Sequence, residues 1–215
     1  MDYKEFTKRI DIISHRINEI GGSVSNTVYS GPATKEQVED LEKKLGITLP
    51  KSFKKVLLEF SSELDYYWFF PNDFELEDEF AGIFSGSIHW GLESIEESYE
   101  EEKSWIEEYY PDLNNEEHKV WHNKLIFYAV GNGDFIGIDL ESDDGAIYYL
   151  SHENDKGHGY KLGDNFIDFI EKWSRICFVG GEDWQWLPFT TSRENGILPD
   201  SKPANKFRDL LKIDL

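Results

Sequence analysis

Residues 125–150 read LIFYAVGNGDFIGIDLESDDGAIYYL, three apolar runs broken by two turn signals. The runs 125–130, 135–140 and 146–150 are rich in β-branched and aromatic residues, which suit a pleated, packed surface. Between the first two lies Gly131-Asn132-Gly133-Asp134, whose Asn-Gly pair fits a type I′ turn with positive φ at both central positions. Ser142-Asp143-Asp144-Gly145 supplies the second turn, with glycine at a left-handed position. The first run is apolar throughout, so both its faces should be covered. The second places Ile136, Ile138 and Leu140 on one face and Phe135, Gly137 and Asp139 on the other. The pattern predicts an antiparallel meander.

The 215 residues are 39% hydrophobic and 15% aromatic, enough for a substantial core in one domain or a domain with an extension. A single cysteine, Cys177, excludes an intramolecular disulfide and a four-cysteine zinc site. No apolar run precedes a cleavage-like site, and none approaches the roughly 20 residues of a membrane span. The expected setting is therefore soluble, reducing and cytoplasmic. The net charge of −21 is uneven, because residues 61–122 hold 18 Asp/Glu against 2 Lys/Arg. Direct nucleic-acid binding, which needs clustered Lys and Arg, is disfavoured, whereas cationic partners would be steered toward this segment.

Outside the meander, Phe6, Ile10, Ile13, Ile17 and Ile20 form one helical stripe that Gly21-Gly22 ends. Residues 23–32 read as a polar connector. Thr34-Lys35-Glu36-Gln37 has the form of a capping box, with Val38, Leu41 and Leu45 as the buried face and Gly46 as the stop. Leu49-Pro50 opens a second helix whose core side is Phe53, Val56, Leu57 and Phe60. Residues 66–70 form an aromatic strand, 72–80 an acidic turn region, and 81–92 one or two strands with glycine bends. Over 92–110 a helix carries Ile95, Tyr99, Glu102, Ile106 and Tyr109 on one stripe and eight glutamates against Lys103. Their mutual repulsion costs only a few tenths of a kcal/mol per pair, roughly. Asn165 caps a helix with Phe166, Ile167, Phe169, Ile170 and Trp173 inward, ended by Gly180-Gly181. The tail, 182–215, holds Trp184 and Trp186 and a short amphipathic segment around Phe207, Leu210, Leu211 and Ile213; it is expected to fold back.

This order of features resembles the SUKH superfamily, in its Knr-like group. The resemblance rests on Gly31-Pro32-Ala33-Thr34, Val38, Leu41-Glu42 and Gly46, Leu49-Pro50, then Phe53 through Phe60, the hairpin at Gly131-Asn132-Gly133-Asp134, and the closing strand and helix. It covers roughly residues 30–175 and implies an α+β fold, mostly antiparallel sheet with helices packed on it. The organisation it suggests is residues 1–30 as helix and connector, 31–181 as the SUKH-like domain and 182–215 as an extension packing back on it. Bacterial members are immunity proteins that neutralise a cognate toxin, often a nuclease, and fungal relatives are regulatory scaffolds. The family pattern carries no catalytic residue, cofactor or metal.

Possible chemistry elsewhere is weak. His118 and His122 stand at i,i+4, half a helical zinc site, without the glutamate of a metalloprotease motif, and read as surface histidines. Ser151-His152-Glu153-Asn154-Asp155 with His158 reads as a polar loop. Asp139, Glu141, Asp143 and Asp144 fall in or beside a turn, where Asp is favoured by backbone hydrogen bonding. Cys177, between Ile176 and Phe178, reads as an inert buried thiol. Three function classes remain: an immunity protein occluding a basic protein toxin, a regulatory interaction scaffold, and a hydrolase using His152 or the carboxylates of residues 139–144. For the first, the steering residues would be Asp73, Glu75, Glu77, Asp78, Glu79, Glu97, Glu100, Glu101 and Glu108, with Trp68, Phe74 and Trp105 as exposed aromatic anchors.

Overall fold

The computed structural model describes residues 1–153 and 156–215. Its first helix, α1 (Tyr3–Glu19), starts where the Asp2 carboxylate accepts the Lys4 and Glu5 N–H groups, and it buries Phe6, Ile10, Ile13 and Ile17. Residues 23–32 are more than a connector. β1 (Ser23–Val24) and β2 (Val28–Tyr29) both pair antiparallel with the same edge of β3 (Glu63–Phe69). Two-residue strands leave too little periodicity to be seen in a polar stretch. Between β2 and β3 come α2 (Lys35–Leu45) and α3 (Lys51–Glu59). The capping box forms as the spacing predicts: Gln37 N–H donates to Thr34 Oγ1 at 3.1 Å and Thr34 N–H to Gln37 Oε1 at 2.8 Å. Gly46 ends α2 in the left-handed region, at φ 67°.

β4 (Ser85–Gly91) pairs with the other edge of β3, from Phe69 opposite Ser85 to Glu63 opposite Gly91. It runs directly into α4 (Leu92–Tyr109), followed by α5 (Glu116–Trp121). A second antiparallel sheet has the order β5 (Lys124–Ala129), β6 (Phe135–Asp139), β7 (Ile147–Leu150), β8 (Lys161–Gly163). The meander is therefore present, extended by a strand too short to be read from sequence. Both faces of β5 are covered. Leu125 and Phe127 join the main core with Phe53, Phe166 and Phe169, while Ile126 joins a second cluster with Ile106, Tyr110, Trp121 and Leu150. Helices α3 and α6 (Phe166–Arg175) lie over one face of this sheet and α4 and α5 over the other. The fold is α+β, with helices packed on antiparallel sheets.

Both turns differ from the expected geometry. In the β5–β6 hairpin only Gly133 has positive φ, at 92°, among Gly131, Asn132 and Gly133. Val130 N–H donates to the Asp134 carbonyl at 2.8 Å, and Gly133 N–H to the Val130 carbonyl at 3.0 Å. This is a three-residue loop with a left-handed glycine at its end, rather than a type I′ turn. The Asn132 side chain accepts the Asp134 N–H at 3.1 Å, which suits an ordinary negative φ at Asn132. At the second turn Gly145 is not left-handed. A Cβ there would lie 1.8 Å from the Asp139 carbonyl oxygen, so close approach is what requires glycine.

Helix α6 stops at Arg175, before Gly180-Gly181, through two left-handed residues, Cys177 (φ 61°) and Phe178 (φ 54°). That conformation costs roughly 1–2 kcal/mol per residue. It turns the chain onto the free edge of β4, where Val179 bridges Gly86 and Gly180 N–H donates to the Ser85 carbonyl at 2.9 Å. The Cys177 carbonyl, left outside the helix ladder, accepts the Trp68 indole N–H at 2.9 Å.

Beyond this bridge, α7 (Asp183–Trp186) buries Trp186 against Tyr149, while Trp184 stays 44% exposed. After it, α8 (Lys202–Leu211) places Phe207 against Phe80 and Phe189, and Arg16 Nε of α1 donates to the Leu211 carbonyl at 2.6 Å. Ile197, Ala204, Phe207, Leu211 and Ile213 share the main core.

Candidate functional site

The eighteen-residue α4 follows β4 with no intervening loop and packs on α2 and β5. Its inward positions are Leu92, Ile95 and Ile106, with Tyr99 and Glu102 half-buried. Tyr109, expected on that stripe, instead faces outward at 58% exposure. Trp105 takes the inward role at this end, within 5.3–5.8 Å of Trp121, Tyr110 and Phe135 by ring centroid. These rings come from α5 (Trp121), the end of α4 (Tyr110) and β6 (Phe135), and together they cover the Trp105 side of the helix. Glu97, Glu100, Glu101, Glu107 and Glu108 all stand exposed. Among the described residues the one ion pair of an α4 glutamate is Glu96 with Lys44 of α2. The helix continues into an exposed apolar end, Tyr109 and Leu113, each 58% exposed.

The remaining predicted partner residues fall elsewhere. Trp68 is not an exposed anchor: it is 0% exposed on the inner side of β3, held by the Cys177 carbonyl and packed on Phe70. Alternation puts Trp68 on one face of β3 with Leu64 and Tyr66, and that face is the buried one, while Tyr67 and Phe69 face out. Phe74 is half-buried against Phe70, with centroids 4.5 Å apart. Asp73, Glu75 and Glu77 are exposed in the loop between β3 and β4. Asp78 and Glu79 are exposed but already met by Lys206 of α8, at 3.6 and 3.1 Å. Hydrogen bonds from its own backbone N–H and from Lys206 hold the Glu79 carboxyl below the usual range.

The two acidic segments join β4 at opposite ends, the 71–84 loop at Ser85 and α4 at Gly91. The α4 face is the larger and the less neutralised by its own chain.

The other polar groups have structural duties. His122 Nε2 donates to the Tyr110 carbonyl at 2.7 Å, and His118 Nδ1 accepts the Asp112 N–H at 3.4 Å. Neither is a freely exposed histidine; both are half-buried. His158 accepts the Ser151 N–H at 3.1 Å and donates to the Glu117 carbonyl at 3.0 Å, and burial lowers its pKa. His152 faces Asp134 at 2.7 Å, while Asn154 and Asp155 of the same loop lie outside the described residues. Asp139 pairs with Lys124 and Asp143 with Lys51, and Asp144 accepts the Ser52 N–H. Among the described residues no group of three His, Cys, Asp or Glu is placed to hold a metal ion. Cys177 is fully buried, and burial pushes its thiol up to about 12.

Fold and surface together define an α+β domain, helices on antiparallel sheets, with one acidic helical face. The chain belongs to the SMI1 / KNR4 family (SUKH-1), whose model matches residues 32–172. The matched stretch leaves α1, α7 and α8 outside it. No curated protein matches the chain. No helix among the described residues is long and apolar enough to cross a membrane.

Proposed function

We propose that this protein is an immunity protein that binds and neutralises a cognate protein toxin bearing a basic surface. The observation that carries this reading is the α4 face: Glu97, Glu100, Glu101, Glu107 and Glu108 exposed without an ion pair among the described residues, beside Tyr109 and Leu113. Unpaired surface carboxylates of one sign raise encounter rates with a cationic partner, and exposed aromatic and aliphatic groups supply the contact area that holds it. Capture is occlusion, with no chemistry required of this chain. The test is co-expression: the protein should protect cells from one toxin encoded beside it and from no unrelated toxin. Affinity capture from native cells should yield a single tight partner. Several weak partners and no protection would replace this reading with that of a regulatory scaffold.

A further inference from the structure

A cavity of about 310 Å³ lies between the inner side of α4 and β5. This is the low end for ligand cavities, room for one long side chain. Ile47, Ile106, Ile126 and Leu140 line it with Trp121. Two polar groups on its wall lack their full complement of partners. Glu102 is half-buried and accepts a hydrogen bond from Ser98, with no ion pair among the described residues. Trp121 is 0% exposed, and its indole N–H has no hydrogen-bond partner among the described residues.

The cations that share the wall are not available to Glu102. Lys124 donates to Asp139 and to the His122 carbonyl, both at 2.9 Å, and the His122 ring is engaged by the Tyr110 carbonyl. Lys103 and Glu107 stand at the exposed rim. A carboxylate in apolar surroundings is destabilising unless a cation meets it. Among the described residues no cation does so.

We propose that this cavity is the socket for a lysine or arginine side chain of the protein partner, with Glu102 as its counter-ion. The inference rests on the partner having a basic surface, as in the reading above. The alkyl stem would lie along Ile106, Ile126 and Leu140, as long cationic side chains do on apolar surface. The head would reach Glu102 beside the Trp121 ring, which shares the cavity wall. Burial and the neighbouring Glu101 charge lift the Glu102 carboxyl to about 7, against a partial lowering by Ser98. Arrival of a cation therefore also drives a proton off.

Capped Gly-Arg-Gly, its neutral citrulline isostere and Gly-Glu-Gly serve as probes of the full chain. The chain has seven tryptophans, so Trp121→Phe identifies the relevant indole N–H signal by its loss. The expected result is a shift of that signal with the arginine peptide alone, and binding about tenfold weaker in Glu102→Gln, the worth of one charge-assisted hydrogen bond. Glu102→Gln removes a charge from apolar surroundings and leaves folding intact, which a thermal melt confirms. No shift, an equal shift with citrulline, or unchanged binding in Glu102→Gln overturns the proposal. Protection from the toxin is scored separately. Protection without arginine selectivity removes the socket alone, and arginine selectivity without protection removes the immunity reading alone.

Discussion

The phenol of Tyr149 donates to the buried carboxylate of Asp134, tying the middle of β7 to the β5–β6 hairpin loop. Asp134 is 1% exposed and also accepts Asn132 Nδ2 at 2.7 Å and the His152 N–H at 2.9 Å. The Tyr149 oxygen in turn accepts the Asp183 N–H at 3.2 Å, which brings α7 into the same network. Removing the phenol leaves a buried carboxylate short of a donor. Tyr149→Phe should cost about 1–3 kcal/mol of unfolding free energy, read from urea midpoints. A change within a few tenths would mean that the network is solvated.

The same carboxylate should give the protein an acid limit. Burial raises the Asp134 pKa, but the hydrogen bonds from Tyr149, His152 and Asn132 outweigh it and hold it below the usual 3.8. A depressed native pKa means stability that is fully present above the unfolded value and lost as pH falls through the native one. The stability gap between wild type and Asp134→Asn should therefore narrow as pH falls below 3.8. A gap constant from pH ~5 to ~2 would remove this role.

Glu102 carries the opposite sign. Its carboxyl is raised from 4.5 to about 7, so between these values the native state holds a proton that the unfolded chain has released. Stability falls across that window, by up to ~3 kcal/mol at one pKa unit per 1.36 kcal/mol. Glu102→Gln should match wild type near pH 4.5 and exceed it increasingly up to pH 7. Equal pH profiles for the two proteins would show that the carboxyl is solvated.

Gly86 is fixed by Trp68. A Cβ at position 86 would stand 2.1 Å from Trp68 Nε1 and 2.5 Å from the Phe178 carbonyl oxygen. Neither can retreat, because the indole is held by the Cys177 carbonyl and the 178–180 segment by the β4 edge. Gly86→Ala should destabilise by about 1–3 kcal/mol, the range of overpacked cores, as measured by thermal or urea unfolding.

The α4 glutamates should govern association rate more than stability. Replacing Glu97, Glu100, Glu101 and Glu108 with Gln should slow capture of the cognate partner about tenfold at low salt and flatten its salt dependence. Folding stability should hold or rise by a few tenths of a kcal/mol, since i,i+4 repulsion is relieved. The same treatment of Asp73, Glu75 and Glu77, at the far end of β4, should leave the rate nearly unchanged. A salt-independent rate in the wild type would rule out electrostatic steering.

Local features were legible in the sequence because their causes lie within a few residues. The Thr34–Gln37 capping box, the Phe6-to-Ile17 stripe and the alternation of β6 depend on spacing alone. Glu102 was visible as a carboxylate on an apolar stripe, and its position rather than its chemistry was the signal. Short pieces were not legible. β1, β2 and β8 have two or three residues each and exist only because β3 and β7 offer them an edge.

The sequence by itself determined the meander, the helix order, the SUKH-1 membership and the concentration of charge in residues 61–122. Tertiary structure decided which side chains face outward. Trp68 looked like an anchor until Cys177, 109 positions away, supplied the carbonyl that buries its indole. Tyr109 looked inward until α5 filled the space with Trp121. In each case the deciding neighbour is remote in the chain, and burial depends on such neighbours rather than on local spacing.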